Sequence, residues 1–205
     1  EQTFTLPSPS SCLEKTCHDN EPDGILCRKS VGLNTIIYYD REKRVNRSSD
    51  DTFNYNLFRS VIISGSGTNQ QYVCFSPPHI NQVDTLTLGD NDTYQEYVDG
   101  TMVNLFYNAN SATPCWKIAT RQVIGGHNSY YTLGGDTVTK TFRELFDECC
   151  ESCNFSYELM NKDRCYSFVI QHPENRIVTP VCEPCLFLIG EYEFITQSDS
   201  TVIVK

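Results

Sequence analysis

Two hundred and five residues, 39% hydrophobic and 20% charged, with eleven Gly and nine Pro, match one ordinary globular domain and exclude a collagen-like or disordered chain. Sixteen Lys and Arg against twenty-six Asp and Glu give a net charge of −10. That charge repels phosphate backbones at long range and excludes an extended grip on nucleic acid, while leaving room for a local basic pocket. No run approaches the ~20 apolar residues of a membrane-spanning helix, and Glu1-Gln2-Thr3-Phe4 carries neither an initiator Met nor a signal peptide, so the chain reads as processed or as a fragment.

Residues 1–33 are rich in Ser, Pro, Asp and Glu, hold Cys12, Cys17 and Cys27, and read as an irregular Cys-rich lead-in to a single domain over 34–205. From Asn34 onward come short runs rich in β-branched and aromatic residues: 35–39, 57–64, 71–75, 101–107 and 115–120. Gly65-Ser66-Gly67-Thr68-Asn69 joins the second and third as a hairpin, and Asn108-Ala109-Asn110-Ser111 joins the last two. Thr141-Phe142-Arg143-Glu144 has the pattern of a capping box and opens a helix in which Phe142, Leu145, Phe146, Cys149 and Cys153 form one apolar stripe. Further strands are expected at 165–170, 176–179 and 185–194, the first two separated by the turn-like Gln171-His172-Pro173-Glu174-Asn175. Strand groups on both sides of one helix give an α+β domain built on antiparallel sheets.

Eleven Cys leave at least one without a partner in the monomer. Cys150-Glu-Ser-Cys153 and Cys182-Glu-Pro-Cys185 form a pattern in which four thiolates surround one tetrahedral zinc. Their wide separation, and the place of the first pair in a core-packing helix, make buried thiols the plainer reading. Three glycosylation sequons, at Asn46, Asn91 and Asn154, matter only in a secreted, disulfide-bonded protein, and matches this short arise by chance. The four His lie beside no Ser or Cys in a hydrolase-like context. Asp90, Asp92, Glu96 and Asp99 read as a solvated acidic loop before a divalent-ion site. Gly125-Gly126 and Gly134-Gly135 match neither dinucleotide-binding nor P-loop spacing.

A set of dispersed segments is more informative: 57–63 (Leu-Phe-Arg-Ser-Val-Ile-Ile), Phe75-Ser76-Pro77-Pro78, Tyr97-Val98-Asp99-Gly100-Thr101-Met102, Trp116-Lys117-Ile118-Ala119-Thr120-Arg121, Tyr166-Ser167-Phe168-Val169 and 172–178 (His-Pro-Glu-Asn-Arg-Ile-Val). In this order and spacing, over roughly residues 55–195, they resemble the adenylyltransferase domain of phage-type ATP-dependent RNA ligases, and most resemble the ligase-like proteins of large DNA viruses. The resemblance implies a nucleotidyltransferase fold, ATP and Mg²⁺ as cofactors, an RNA end as partner, and a place in the host cytoplasm or the virion.

In that family a Lys heading a Lys-x-Asp-Gly motif attacks the α-phosphate of ATP. Here Tyr97 holds the matching position, and a phenol with an ordinary pKa of about 10 is mostly protonated at neutral pH. A family Glu that helps hold nucleotide or metal is matched by Ser167. Arg59, Asp99, Gly100, Arg121 and Arg176 carry over, and guanidinium groups fit phosphates bidentately. Two later family motifs, Glu-Gly and Lys-x-Lys, belong beyond Phe194 and are not both present before Lys205. The resemblance thus implies a degenerate RNA-ligase-like domain that keeps a nucleotide or nucleic-acid-end pocket. The rival expectation is a non-catalytic virion-structural or interaction protein that reuses the fold and binds other virion proteins.

Overall fold

Side chains alternate across a strand, so a run with apolar residues at every position must bury both faces. Arg164–Gln171 comes close to such a run, apolar or aromatic from Cys165 through Ile170 except for Ser167 and buried throughout that stretch, and the architecture is arranged around it. The computed structural model describes residues 2–18, 26–40, 54–79, 96–129, 139–175 and 180–205.

The elements are β1 (Phe4–Leu6), α1 (Pro9–Glu14), β2 (Cys17–His18), β3 (Leu26–Val31), β4 (Asn34–Tyr39), β5 (Val61–Ser64), β6 (Gln71–Cys74), β7 (Thr101–Asn108), β8 (Cys115–Ala119), α2 (Phe142–Ser152), β9 (Arg164–Gln171), β10 (Cys185–Thr196) and β11 (Val202–Val204). They form a six-stranded sheet in the order β1-β11-β10-β9-β7-β8 and a five-stranded sheet in the order β2-β3-β4-β5-β6. Pairing is antiparallel except between β2 and β3. This is the α+β, mainly antiparallel class expected from the strand and turn pattern. Both expected hairpins form: β5 pairs with β6, and β7 with β8.

One face of β7 and β9 looks at the five-stranded sheet and the other at α2. Phe106 and Cys165 join Ile36, Ile37, Val61, Ile62 and Phe75 between the sheets. Val103, Leu105, Tyr166, Phe168 and Ile170 pack beneath Phe142, Leu145 and Phe146. The helix starts where the capping box requires: Thr141 Oγ1 accepts from Glu144 N–H, and Thr141 N–H donates to Glu144 Oε2 at 2.7 Å. Its remaining free N–H groups find the preceding loop, with Phe142 N–H donating to Asn128 O and Arg143 N–H to Gly126 O.

Three expectations need correction. Residues 1–33 are not an irregular lead-in where described: β1 closes the edge of the larger sheet against β11, and β3 pairs along its length with β4 through the Gly32 turn. Arg28, Lys29 and Ser30 break the apolar pattern of β3, so its strand state comes from pairing rather than from its own periodicity. The strand expected from Leu57 begins only at Val61, because Tyr55–Leu57 form a 3-10 turn closed by Phe58 N–H to Tyr55 O. In α2 the fifth buried position is Cys150, not Cys153, which lies past the last helical residue and is exposed. The strand expected over 176–179 lies outside the described residues.

Cys12, Cys27, Cys74, Cys149, Cys150 and Cys165 are buried as small apolar groups, whereas Cys115, Cys153 and Cys182 are exposed. Burial pushes the Cys12, Cys149 and Cys150 thiols up to about 12, and burial beside Cys165 raises Cys74 as well. Among the described residues no helix is long and apolar enough to cross a membrane.

Two predictions follow from this packing. Phe146 is fully buried, with Phe168 edge-on at 5.9 Å, so Phe146→Ala should cost about 3–5 kcal/mol in urea denaturation; a cost below about 1 kcal/mol would mean that α2 is not seated on the sheet. A thiol-alkylating reagent at pH 8, followed by peptide mapping, should label Cys115, Cys153 and Cys182 first. Early labelling of Cys12, Cys74 or Cys149 would contradict this core.

Candidate functional site

The face of the larger sheet that looks at the five-stranded sheet changes character along its length. On β7 it runs Phe106, Asn104, Met102, and on β9 Cys165, Ser167, Val169. Phe106 and Cys165 are core, while Asn104, Met102 and Val169 line open space. Two adjoining clefts open there, of about 510 Å³ and 450 Å³, and they share Arg59, Gly100 and Met102.

The larger cleft is mainly apolar, walled by Pro77, Pro78, Val98, Met102, Val169 and Ile189, with Tyr97 and Glu96 at its mouth. Ile189 reaches it because the β9–β10 register shifts between Leu188 and Gly190, and a bulge of this kind re-aims a side chain. Gly190 stands beside it, where a Cβ would meet the Tyr192 ring and displace it. The smaller cleft sets Ser60, Ser76, Thr101, Asn104, Thr120, Arg121 and Asn128 among the apolar side chains of Met102, Val123 and Phe142.

Local bonds bring the two arginines to this place. Ser60 Oγ donates to Thr120 O at 3.2 Å and ties the Arg59 segment to the end of β8. A tight turn, closed by Thr120 N–H to Val123 O, puts Arg121 at its exposed tip. Arg121 Nη2 donates to Tyr39 O at 2.8 Å, which fixes the guanidinium group and leaves its remaining N–H donors for other acceptors. Gly100 has φ +149°, and a Cβ there would meet Ile170 O at 2.5 Å and Val169 Cγ1 at 2.7 Å, so only glycine lets the start of β7 approach β9 this closely.

The structure therefore gathers Arg59, Tyr97, Gly100 and Arg121 around one double cleft. Tyr97 is 73% exposed at the rim. Asp99 lies between the lining residues Val98 and Gly100, with its carbonyl accepting from Gln171 Nε2 at 2.8 Å. Ser167 is fully buried behind Asn104 of the smaller cleft and donates to Asn104 Oδ1 at 2.7 Å. Arg176 lies outside the described residues, as do Asp90 and Asp92.

The four cysteines of the two Cys-x-x-Cys pairs are not gathered. Cys150 faces the helix–sheet core, Cys153 and Cys182 are exposed, and Cys185 is half-buried at the start of β10. Cys149, outside both pairs, lies near Cys185, and its thiol donates to Gln171 O at 3.5 Å. Cys153 would share the buried face of Cys149 and Cys150 if the helix continued, but α2 ends at Ser152 and Cys153 is exposed.

Sequence reasoning missed two polar residues of the smaller cleft. Ser76 Oγ and Asn128 Oδ1 are buried there with no hydrogen-bond partner among the described residues, a costly state that a polar ligand or water relieves. Ser76 belongs to the Phe-Ser-Pro-Pro segment without having been singled out in it, and Asn128 had no signal beyond lying two residues after the glycine pair at 125–126. A third groove of about 470 Å³ lies elsewhere, lined by Tyr72, Tyr107, Lys162 and Arg164 among others. Its cations are already engaged: Arg164 pairs with Glu191 and Glu193, and Lys162 sits 4.7 Å from the centre of the Tyr107 ring.

Comparison with known proteins gives a partial match to the same kind of protein that the dispersed segments resemble. No protein-family model matches the chain. Over 99 residues, 46% of its length, the chain is 39% identical to an RNA ligase of Rhodothermus phage RM378, and it spans about a fifth (22%) of that relative's length. The chain is thus RNA-ligase-like over nearly half of its own length.

Proposed function

We propose that the double cleft is the nucleotide- or nucleic-acid-end site of an RNA-ligase-like nucleotidyltransferase domain that is degenerate at its nucleophile. The observation that carries this reading is the convergence of Arg59, Tyr97, Gly100 and Arg121, from three separate parts of the chain, on one opening between the sheets. Those are the positions that the resemblance to RNA ligases singles out.

The double cleft offers both kinds of surface that a nucleotide needs. Apolar walls of Pro, Val, Met and Ile take a flat ring, and Arg59 at the junction and Arg121 in the smaller cleft take phosphate through charge-assisted hydrogen bonds. Glu96 at the mouth and Asp99 beside it are carboxylates of the kind that accompany magnesium. Tyr97 offers no amine, and the buried Ser167 holds a neutral hydrogen bond to Asn104 where a carboxylate would stand. This chain therefore binds without adenylating itself.

Incubation of the protein with ATP and Mg²⁺ or Mn²⁺, read by intact-mass spectrometry, should show no covalent adenylate. ATP·Mg²⁺ should nevertheless raise the melting temperature, and Arg59→Ala should weaken that binding roughly tenfold or more, the equivalent of a charge-assisted hydrogen bond of about 1.5–3 kcal/mol. An adduct would overturn the degenerate reading. No adduct and no stabilisation would transfer the case to the virion-structural or interaction role.

A further inference from the structure

A cluster outside the cleft ties it to α2. His172, which ends the run of β9, is 3% exposed and uses both ring nitrogens. Its Nδ1 accepts from Glu174 N–H at 3.1 Å, an i to i+2 bond that shapes the turn over His172-Pro173-Glu174-Asn175, and Asn175 N–H donates to His172 O at 2.9 Å. With Nδ1 an acceptor, the ring proton is on Nε2 and is donated to Glu148 Oε2 on α2 at 2.9 Å. Lys140 Nζ lies between the carboxylates of Glu148 and Glu174, at 2.9 and 2.6 Å, in the position a metal cation would need. The Lys140 bond holds the Glu148 carboxyl below its usual range, and the two glutamates raise Lys140.

The residues flanking this histidine reach the cleft. Gln171 Nε2 donates to Asp99 O at 2.8 Å, and Asn175 Nδ2 donates to Thr101 Oγ1 at 2.8 Å. Between those two anchors stands Gly100, pressed against Ile170 O with no room for a side chain. The entry to β7, which carries Tyr97, Val98 and Gly100 into the cleft wall, is therefore held from both ends of the turn that His172 shapes.

We propose that His172 is a positioning residue for the cleft: its Nδ1 bond to Glu174 N–H sets the turn through which Gln171 and Asn175 fix residues 99–101. The bond from Nε2 to Glu148 fastens that turn to α2 but does not set its shape. This role holds whatever the cleft binds, and it adds to the proposed function without requiring it.

Two substitutions separate the nitrogens. Asn at 172 keeps an acceptor for the N–H two residues on and loses the reach to Glu148, whereas Gln reaches Glu148 and gives up the local bond. The measurement is hydrogen–deuterium exchange by mass spectrometry on the whole protein, comparing peptides over 96–102 with peptides over 103–108 and 164–169. His172→Gln should speed exchange over 96–102 roughly three- to tenfold with the interior strands unchanged, and His172→Asn should stay near wild type. Equal effects of the two variants, no effect of either, or faster exchange across the whole sheet would overturn the proposal. In the same variants, ATP·Mg²⁺ binding should fall for Gln and recover for Asn. A wild-type protein that fails to bind ATP would count against the reading of the cleft, while the exchange result would still decide the role of His172.

Discussion

The structure depends on β9 being buried on both faces. Its alternate residues Tyr166, Phe168 and Ile170 supply the floor beneath α2, and Cys165 enters the space between the sheets. A one-residue slip of β9 against β7 would exchange those two sets and leave aromatic rings between the sheets and Ser167 beneath the helix. Register is therefore strongly specified, and with it the positions of Ser167 and Val169 along the face that opens into the cleft. The core and the candidate site are two stretches of one strand face.

Much of this was legible in the chain. The helix start was readable because Thr141 and Glu144 form a local bond that needs no partner from elsewhere. The hairpin between β5 and β6 was readable because Gly65 and Gly67 both take positive φ, which few other residues adopt. Less legible were β1, whose partner β11 lies at the other end of the chain, and β3, whose polar Arg28, Lys29 and Ser30 hide a hairpin partner that is close by in β4. The phase of α2 was misjudged at its last turn for a related reason: periodicity continues on paper past Ser152, but the helix ends there and Cys153 turns out to solvent.

The site was legible as residue types and not as a shape. Arg59, Tyr97, Gly100 and Arg121 stood out in separate segments, and only the fold shows that they border one opening. Ser76 and His172 lay inside the quoted segments but were given no role there, and Asn128 lay outside them. A buried hydroxyl without a partner, or a histidine using both nitrogens, is defined by what surrounds it, and a linear sequence does not state its surroundings.

The position of Ser167 bears on what kind of site this is. A carboxylate at a fully buried point of β9 would need a cation or several hydrogen-bond donors to offset the loss of hydration. Ser167 and Asn104 instead hydrogen-bond as neutral partners across the β7–β9 pair, so this pair needs no bound cation. The cleft's charge is then carried by arginines near its surface, one of them braced by Tyr39 O. In a chain of net charge −10, two arginines at one opening, one of them braced, concentrate the attraction for an anion in that place. That distribution favours recognition of a single phosphate-bearing end over a grip along a phosphate backbone.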